Sequence, residues 1–333
     1  MSEPRFIDRV RELEELRKLA ERGSVLPIYL FGPEGCGKTR LLKEFVKGFR
    51  GVAVYIDALE RDAAERALLT NPVISELSDV VKGLVEGVPW VGPYLATRLS
   101  TLIEKIATRV SVSGRPLAIA VDDVAETMGL DQVEWYVKWL YELIKKLYEL
   151  YSPRSVLVIA STSEGLSLEH VLRHTYASVR LLWNLDPQAF AELVKELSPP
   201  PSLDIDELWR ATGGNPRALL EIARVYEWSI DAWMSYLERR LLRVVTVARS
   251  RGLEGELATL IDDPDAVCDR PSQRMEELYR VLVSENLFMY RYVAVLSGND
   301  PSPDPELGIG RYYAWQMPAY RTVLSKLLRC SRG

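Results

Sequence analysis

Five short, mostly apolar runs constrain this chain more than any other feature: VLPIYLF (25–31), VAVYIDA (52–58), PLAIAVDD (116–123), SVLVIAST (155–162) and SVRLLW (178–183). None keeps a strict polar–apolar alternation, so each reads as a strand buried on both faces. Helix-patterned segments separate them. That succession predicts an α/β fold, a parallel sheet of about five strands layered between helices. An amphipathic helix precedes the sheet, with Val10, Leu13, Leu16 and Leu19 at helical spacing.

After the fifth run the sequence turns helical. DPQAFAELVKEL and NPRALLEIARVYEW each begin with a capping residue and a proline, Asp186-Pro187 and Asn215-Pro216, the expected order at a helix start. A small helical unit is expected over 185–228, following a core over 1–184. From 229 to 333, long helical patterns lead into two aromatic runs, LFMYRYVAVL and RYYAWQMPAY, separated by the turn-rich SGNDPSPDPELGIG. Helix, helix, strand, long loop and strand is the order of a winged helix. Residues 60–112 form an insert broken by EGVPWVGPY. A helical hairpin packed on the sheet is expected there; a partner contact through its aromatics is the alternative.

Bulk properties exclude several classes. The 333 residues suit two or three domains, and a net charge of −5 offers no global basic field for nucleic acid. Cys36, Cys268 and Cys330 are odd in number and far apart, which argues against a disulfide frame or a cysteine metal site. The chain starts charged, without a signal-like apolar segment, and no apolar run approaches the ~20 residues that span a bilayer. A cytoplasmic protein with no membrane partner is expected.

The first run leads into GPEGCGKT, which matches G-x-x-x-x-G-K-[ST] at Gly32, Gly37, Lys38 and Thr39, with a helical pattern after it. Glycines let backbone N–H groups turn inward around phosphate oxygens, and the following helix N-terminus adds positive potential. Lys38 is expected to reach the β- and γ-phosphates, and Thr39 to ligate Mg²⁺. Cys36 reads as a small filler, with a redox role disfavoured beside an anionic ligand.

Further candidates follow downstream. PLAIAVDD ends in Asp122-Asp123 at the C-terminal end of a strand, where parallel sheets bind ligands. Asp122 would hold Mg²⁺ through water; Asp123 would orient the attacking water, or simply cap a turn, with Glu126 a lesser candidate. Among Ser161, Thr162 and Ser163, Thr162 is the first choice for contact with a terminal phosphate and Ser161 the second. Gly213-Gly214-Asn215-Pro216 places Arg217 in the first turn of a helix, from which it would reach a γ-phosphate; a solvated arginine beside Arg210 and Glu221 is the plainer reading. Arg173 is a candidate arginine finger toward a neighbouring copy, against a plain surface cation. His170 and His174 stand at i, i+4, but zinc would need a third ligand such as Glu169, and no zinc is expected.

Taken together, RFIDRVRELEEL, FGPEGCGKTR, PLAIAVDD, VLVIASTS and TGGNPRALLEIA resemble, in that order, the archaeal P-loop ATPases of the AAA+ and STAND groups; archaeal replication-origin initiators share the layout. The resemblance implies an αβα ATPase core with strand order 5-1-4-3-2, a helical lid and a C-terminal winged helix. It implies ATP or ADP with Mg²⁺, Phe6, Ile7 and Arg9 near the adenine, and the phosphates held by Gly32, Pro33, Glu34, Gly35, Cys36, Gly37, Lys38, Thr39 and Arg40, with Pro216 and Arg217 from the lid. Lys38, Asp123, Thr162 and Arg217 would be catalytic, and Thr39 and Asp122 would hold the metal. Asp123 stands where vigorous hydrolases carry glutamate, so slow hydrolysis serving a conformational switch is expected. The alternative is a DNA-binding initiator-like or mobile-element ATPase acting through the winged helix, for which Arg239, Arg240, Arg243, Arg249, Arg251, Arg274 and Arg280 are the cations at hand. DNA or a protein at the winged helix, and further copies of the chain assembling with ATP, are the expected partners.

Overall fold

The computed structural model describes residues 4–57, 68–70, 101, 104, 112–123, 130–163 and 165–329. Glu126 and most of the hairpin expected in 60–112 lie outside the described residues, which in that segment are 68–70, 101, 104 and 112.

In chain order the first elements are α1 (Val10–Arg22), β1 (Ile28–Phe31), α2 (Lys38–Gly48), β2 (Val52–Asp57), β3 (Leu68–Thr70), β4 (Pro116–Asp122), α3 (Leu130–Tyr151), β5 (Ser155–Thr162), α4 (Gly165–Leu172) and β6 (Ser178–Leu181). The sheet runs β3-β2-β4-β5-β1-β6. The five strands read from the sequence are all parallel and in the order the resemblance implied. β3 is an addition: it pairs antiparallel with β2, Val54 facing Thr70. Its three residues give no alternation to detect.

Both faces of the sheet are covered, which explains the unbroken apolar runs. Val54, Ile56, Ile119, Val121, Val156 and Val158 point into a core shared with Tyr136 and Leu140 of α3. Their neighbours Ala53, Tyr55, Ala118, Ala120, Leu157 and Ile159 point the other way, onto Leu16 of α1 and Leu41, Leu42 and Phe45 of α2. β1 lies between β5 and β6, so the loop after β1 emerges at the crevice where ligands of such sheets bind.

The remaining elements are α5 (Pro187–Glu196), α6 (Ile205–Thr212), α7 (Pro216–Arg224), α8 (Ile230–Ser250), α9 (Glu254–Asp262), α10 (Ala266–Asp269), α11 (Gln273–Ser284), β7 (Phe288–Tyr290), β8 (Tyr313–Trp315) and α12 (Pro318–Arg329). Asp186 and Asn215 cap α5 and α7 as their Asp-Pro and Asn-Pro pairs imply, accepting from Ala189 N at 2.9 Å and Ala218 N at 3.1 Å. β7 and β8 pair antiparallel, with Phe288 opposite Trp315. One hydrophobic core joins α5–α7 to the C-terminal elements, running from Leu185 and Phe190 through Trp233 to Trp315 and Leu324.

Besides a buried apolar cluster of Phe31, Leu168 and Leu181 with Met289 of β7, three contacts seat the C-terminal elements on the sheet domain. Residues 294–296 extend the sheet beyond β6, through Leu181 N to Ala294 O and Leu296 N to Leu181 O, each 2.9 Å. α11 packs on α4, where a Cβ on Gly165 would lie 2.5 Å from Val283 Cγ1. The third contact reaches the phosphate loop. Among the described residues no helix is long and apolar enough to cross a membrane.

Trp315 is buried in the shared core and donates Nε1 to Leu260 O at 3.1 Å. Trp315→Ala is expected to cost about 3–5 kcal/mol. Because the core is shared, lid and C-terminal helices should lose stability together in urea denaturation followed by circular dichroism. An unchanged midpoint would contradict a shared core.

Candidate functional site

The turn between β1 and α2 has its geometry set by glycine. A side chain on Gly32 would collide with the Leu182 carbonyl, and Gly35 holds φ 80° where a Cβ would stand 2.6 Å from Cβ of Arg217. No side chain caps the N-terminus of α2 at Gly37. Helix N–H groups left uncapped behind an inward-turned loop form an anion site. Lys38 is buried and donates Nζ to Gly32 O at 2.9 Å and Pro33 O at 3.0 Å, so its ammonium lies against the start of the loop. Cys36 is buried in the α1/α2 core with its thiol 3.4 Å from Leu182 O, a placement that suits a small apolar side chain.

The loop borders a cavity of about 550 Å³. Phe6 and Ile7 from the N-terminal segment and Leu185, Leu193, Pro216 and Leu220 from the lid side supply apolar lining; Lys38, Thr39, Arg40 and Arg217 supply donors. Arg40 lies 5.8 Å from the Phe6 ring centroid and hydrogen-bonds Pro4 O, which orders the segment before α1. Lys43 and Lys47 line the same cavity one and two turns beyond Thr39. Their i, i+4, i+8 spacing along α2 is the signal from which they are legible. Leu193 and Leu220 are indistinguishable in sequence from other core leucines.

Arg9, expected near the base, lines the same cavity as Phe6 and Ile7 and also holds the loop. Its side chain is buried, pairs with Glu12 at 3.0 Å and donates Nη2 to Cys36 O at 3.0 Å and Trp183 O at 2.6 Å. It braces the loop from behind.

Asp122 ends β4 wholly buried. Tyr55 donates to its Oδ2 at 2.8 Å and Ser161 donates to its Oδ1. Burial, reinforced by the adjacent Asp122 charge, raises the Tyr55 pKa, so this hydroxyl remains a donor. Each carboxylate oxygen keeps a further lone pair for a metal-bound water. Among the described residues no cluster of three or more His, Cys, Asp or Glu is placed to hold a metal alone. Thr39 and Asp122 would therefore hold Mg²⁺ jointly with phosphate oxygens, which their hydroxyl and carboxylate chemistry fits.

Asp123 follows at φ 52° and lines the cavity with Ser163. Thr162 is buried at the end of β5, and Ser161 is committed to Asp122, so Ser163 is the member of this trio on the cavity wall. His170, Arg173 and His174 converge on Glu134 of α3, each at 3.3 Å; the carboxylate facing the two histidines is therefore Glu134 and not Glu169. The hydrogen bond from His174 is the main cause lowering the Glu134 pKa. Glu169 instead lies near Tyr279 of α11, whose pKa is raised by burial and by the Glu169 charge.

The lid and the C-terminal hairpin meet the loop at Glu34. Arg217 Nη1 lies 2.6 Å from its Oε1, Asn215 Nδ2 donates to its carbonyl at 2.8 Å, and its N–H donates to Gln316 Oε1 at 2.8 Å. Asn184 joins this network, accepting from Asn215 at 3.0 Å and donating to Gln316 O at 3.1 Å. Sequence offers no sign of these contacts, which join residues far apart in the chain.

Tyr55→Phe would leave a buried carboxylate with one hydroxyl donor fewer and should cost about 1–3 kcal/mol. Thermal unfolding of the ligand-free protein measures it. An unshifted midpoint would show that Asp122 does not depend on Tyr55.

The chain matches the family described as an ATPase domain predominantly from Archaea over residues 6–222. It is also similar to a solved structure described as "Structural Basis for Katanin Self-Assembly", at 14% identity and a TM-score of 0.39, over 66% of this chain and 68% of that one. No curated protein matches it. The family match takes in the phosphate loop, the strand ending at Asp122 and the lid turn at Asn215; the chain belongs to this family of ATPase domains, and it is an ATPase.

Proposed function

We propose that the protein is a slow, Mg²⁺-dependent ATPase of the STAND type, whose nucleotide state sets the position of its lid and C-terminal unit. The observation that carries this reading is the triple grip on Glu34: the lid through Arg217 and Asn215, and the β7–β8 hairpin through Gln316, both touch the phosphate loop itself. Elements that touch the loop feel what the loop holds, and a ligand shifts such an equilibrium only by contacting the two states differently.

In this reading Lys38 and the N–H groups of the loop neutralise the phosphates, and Thr39 and Asp122 hold the metal. Asp123 orients the attacking water, with Thr162 and Ser163 at the neighbouring strand end. Arg217 contacts the γ-phosphate from the lid, and Phe6 and Ile7 pack beside the base. The C-terminal helices with the β7–β8 hairpin act as a winged helix. A DNA partner draws little support from the charge pattern: Arg243, Arg251, Arg274 and Arg280 pair with Glu285, Glu277, Glu256 and Glu276.

Calorimetry and steady-state phosphate release test the assignment. Lys38→Ala should lower ATP affinity by about a hundredfold, through loss of a charge-assisted contact in a buried site. Asp123→Asn should keep ATP affinity within about threefold and lower turnover by at least about a hundredfold, the contribution of a positioned base. Unchanged binding and turnover in Lys38→Ala would remove the reading.

A further inference from the structure

Glu34 brings negative charge to the phosphate cradle. It places a carboxylate at the third residue of a loop that must receive polyanionic ligand. Lys38 shows which end of the cradle this is: its ammonium rests on the carbonyls of Gly32 and Pro33, immediately beside Glu34. The lysine of such a loop reaches the β- and γ-phosphates, so the terminal phosphate charge must come close to Glu34.

The carboxylate does not stand alone there. Arg217 Nη1 is 2.6 Å from Glu34 Oε1, the Arg217 backbone N–H donates to Gly35 O at 3.3 Å, and the Gly35 position leaves no room for a Cβ against Arg217. Lid and loop are therefore closed on each other through an ion pair within the protein. Glu34 occupies the cation that the lid would otherwise offer to a ligand.

We propose that Glu34 sets the choice between nucleoside triphosphate and diphosphate. This rests on the reading above, in which Arg217 contacts the γ-phosphate. A triphosphate must draw Arg217 away from Glu34 and brings like charge against the carboxylate. A diphosphate leaves the Arg217–Glu34 pair in place. As built, the site favours the diphosphate, and Glu34 is a specificity-determining residue whose backbone remains tied to Asn215 and Gln316 while its side chain exchanges partner. The pair is partly exposed, 57% for the arginine side chain and 36% for the glutamate, so its effect is moderate and falls with salt.

Calorimetric titration of the full chain with Mg-ATP and with Mg-ADP decides it, comparing parent, Glu34→Gln, Arg217→Gln and the double variant. Glu34→Gln is expected to tighten ATP by about three- to fivefold, the scale of a partly exposed ion pair, and ADP by no more than about twofold. In the Arg217→Gln background most of that gain should vanish, and in 0.5 M salt it should shrink. Ligand-free unfolding temperatures for each variant establish that the fold is kept. Equal shifts for the two nucleotides in Glu34→Gln, or weaker ATP binding, would overturn the role of Glu34 alone. An Arg217→Gln variant that binds ATP as the parent does would overturn the γ-phosphate contact on which the proposal stands. Failure of the parent to bind either nucleotide would overturn the ATPase site itself.

Discussion

The phosphate loop keeps its shape because a buried arginine holds it from behind. Arg9 sits at φ 64°, a left-handed conformation unusual for its type, and its guanidinium joins Glu12, the carbonyl of Cys36 and the carbonyl of Trp183. A buried carbonyl without a donor costs about 1–3 kcal/mol, and a buried charge deprived of its partner costs more. One side chain thus settles two carbonyls and a carboxylate at the point where the N-terminal segment, the loop and the end of β6 meet. The left-handed turn at Asp8 and Arg9 aims the guanidinium inward, and α1 begins from it. The N-terminal segment is therefore part of the site's foundation as well as part of its wall.

The front of the loop is held differently. Behind it the contacts are buried; before it they are polar and partly exposed, made by the lid and the C-terminal hairpin. Those two share one hydrophobic core, so small displacements are transmitted between them as between parts of one body. Their contacts with the sheet domain include a backbone ladder at 294–296, the α4–α11 packing, a buried apolar cluster of Phe31, Leu168 and Leu181 with Met289, and the Glu34 network. The polar part of this boundary, at Glu34, lies next to the phosphate loop.

The sequence carried the sheet well because burial on both faces leaves an unmistakable mark, and the glycine spacing and proline-capped helices are local signals of the same kind. β3 escaped because three residues show no period. α9 and α12 were harder for a similar reason. α9 has nine residues in an acidic stretch, and α12 begins within an aromatic run that resembles strand until Pro318 opens the helix. Residue type singled out Lys38 and Thr39, which line the cavity, since their chemistry is tied to position in a strand–loop–helix unit. Ser163 over Thr162 on the cavity wall depended on where β5 ends, and strand ends are set by pairing, not by composition. The Glu34 contacts depend on tertiary closure alone.

Asp123 shows how backbone and chemistry bear on one residue. It follows directly on the buried end of β4, and at φ 52° the chain turns left-handed. Outside glycine, aspartate and asparagine tolerate this conformation best, because a short polar side chain satisfies neighbouring backbone groups. A glutamate would gain a methylene of reach but lose that local compatibility. The shorter carboxylate thus suits the turn, whatever it costs in reach toward a water. If position 123 orients the attacking water, as proposed, reach and this turn geometry make opposing demands on it, and aspartate answers the backbone's. Under the proposed function, slow turnover would follow from the same feature that fixes the end of β4, and the contacts at Glu34 would be the ones to respond to the nucleotide held.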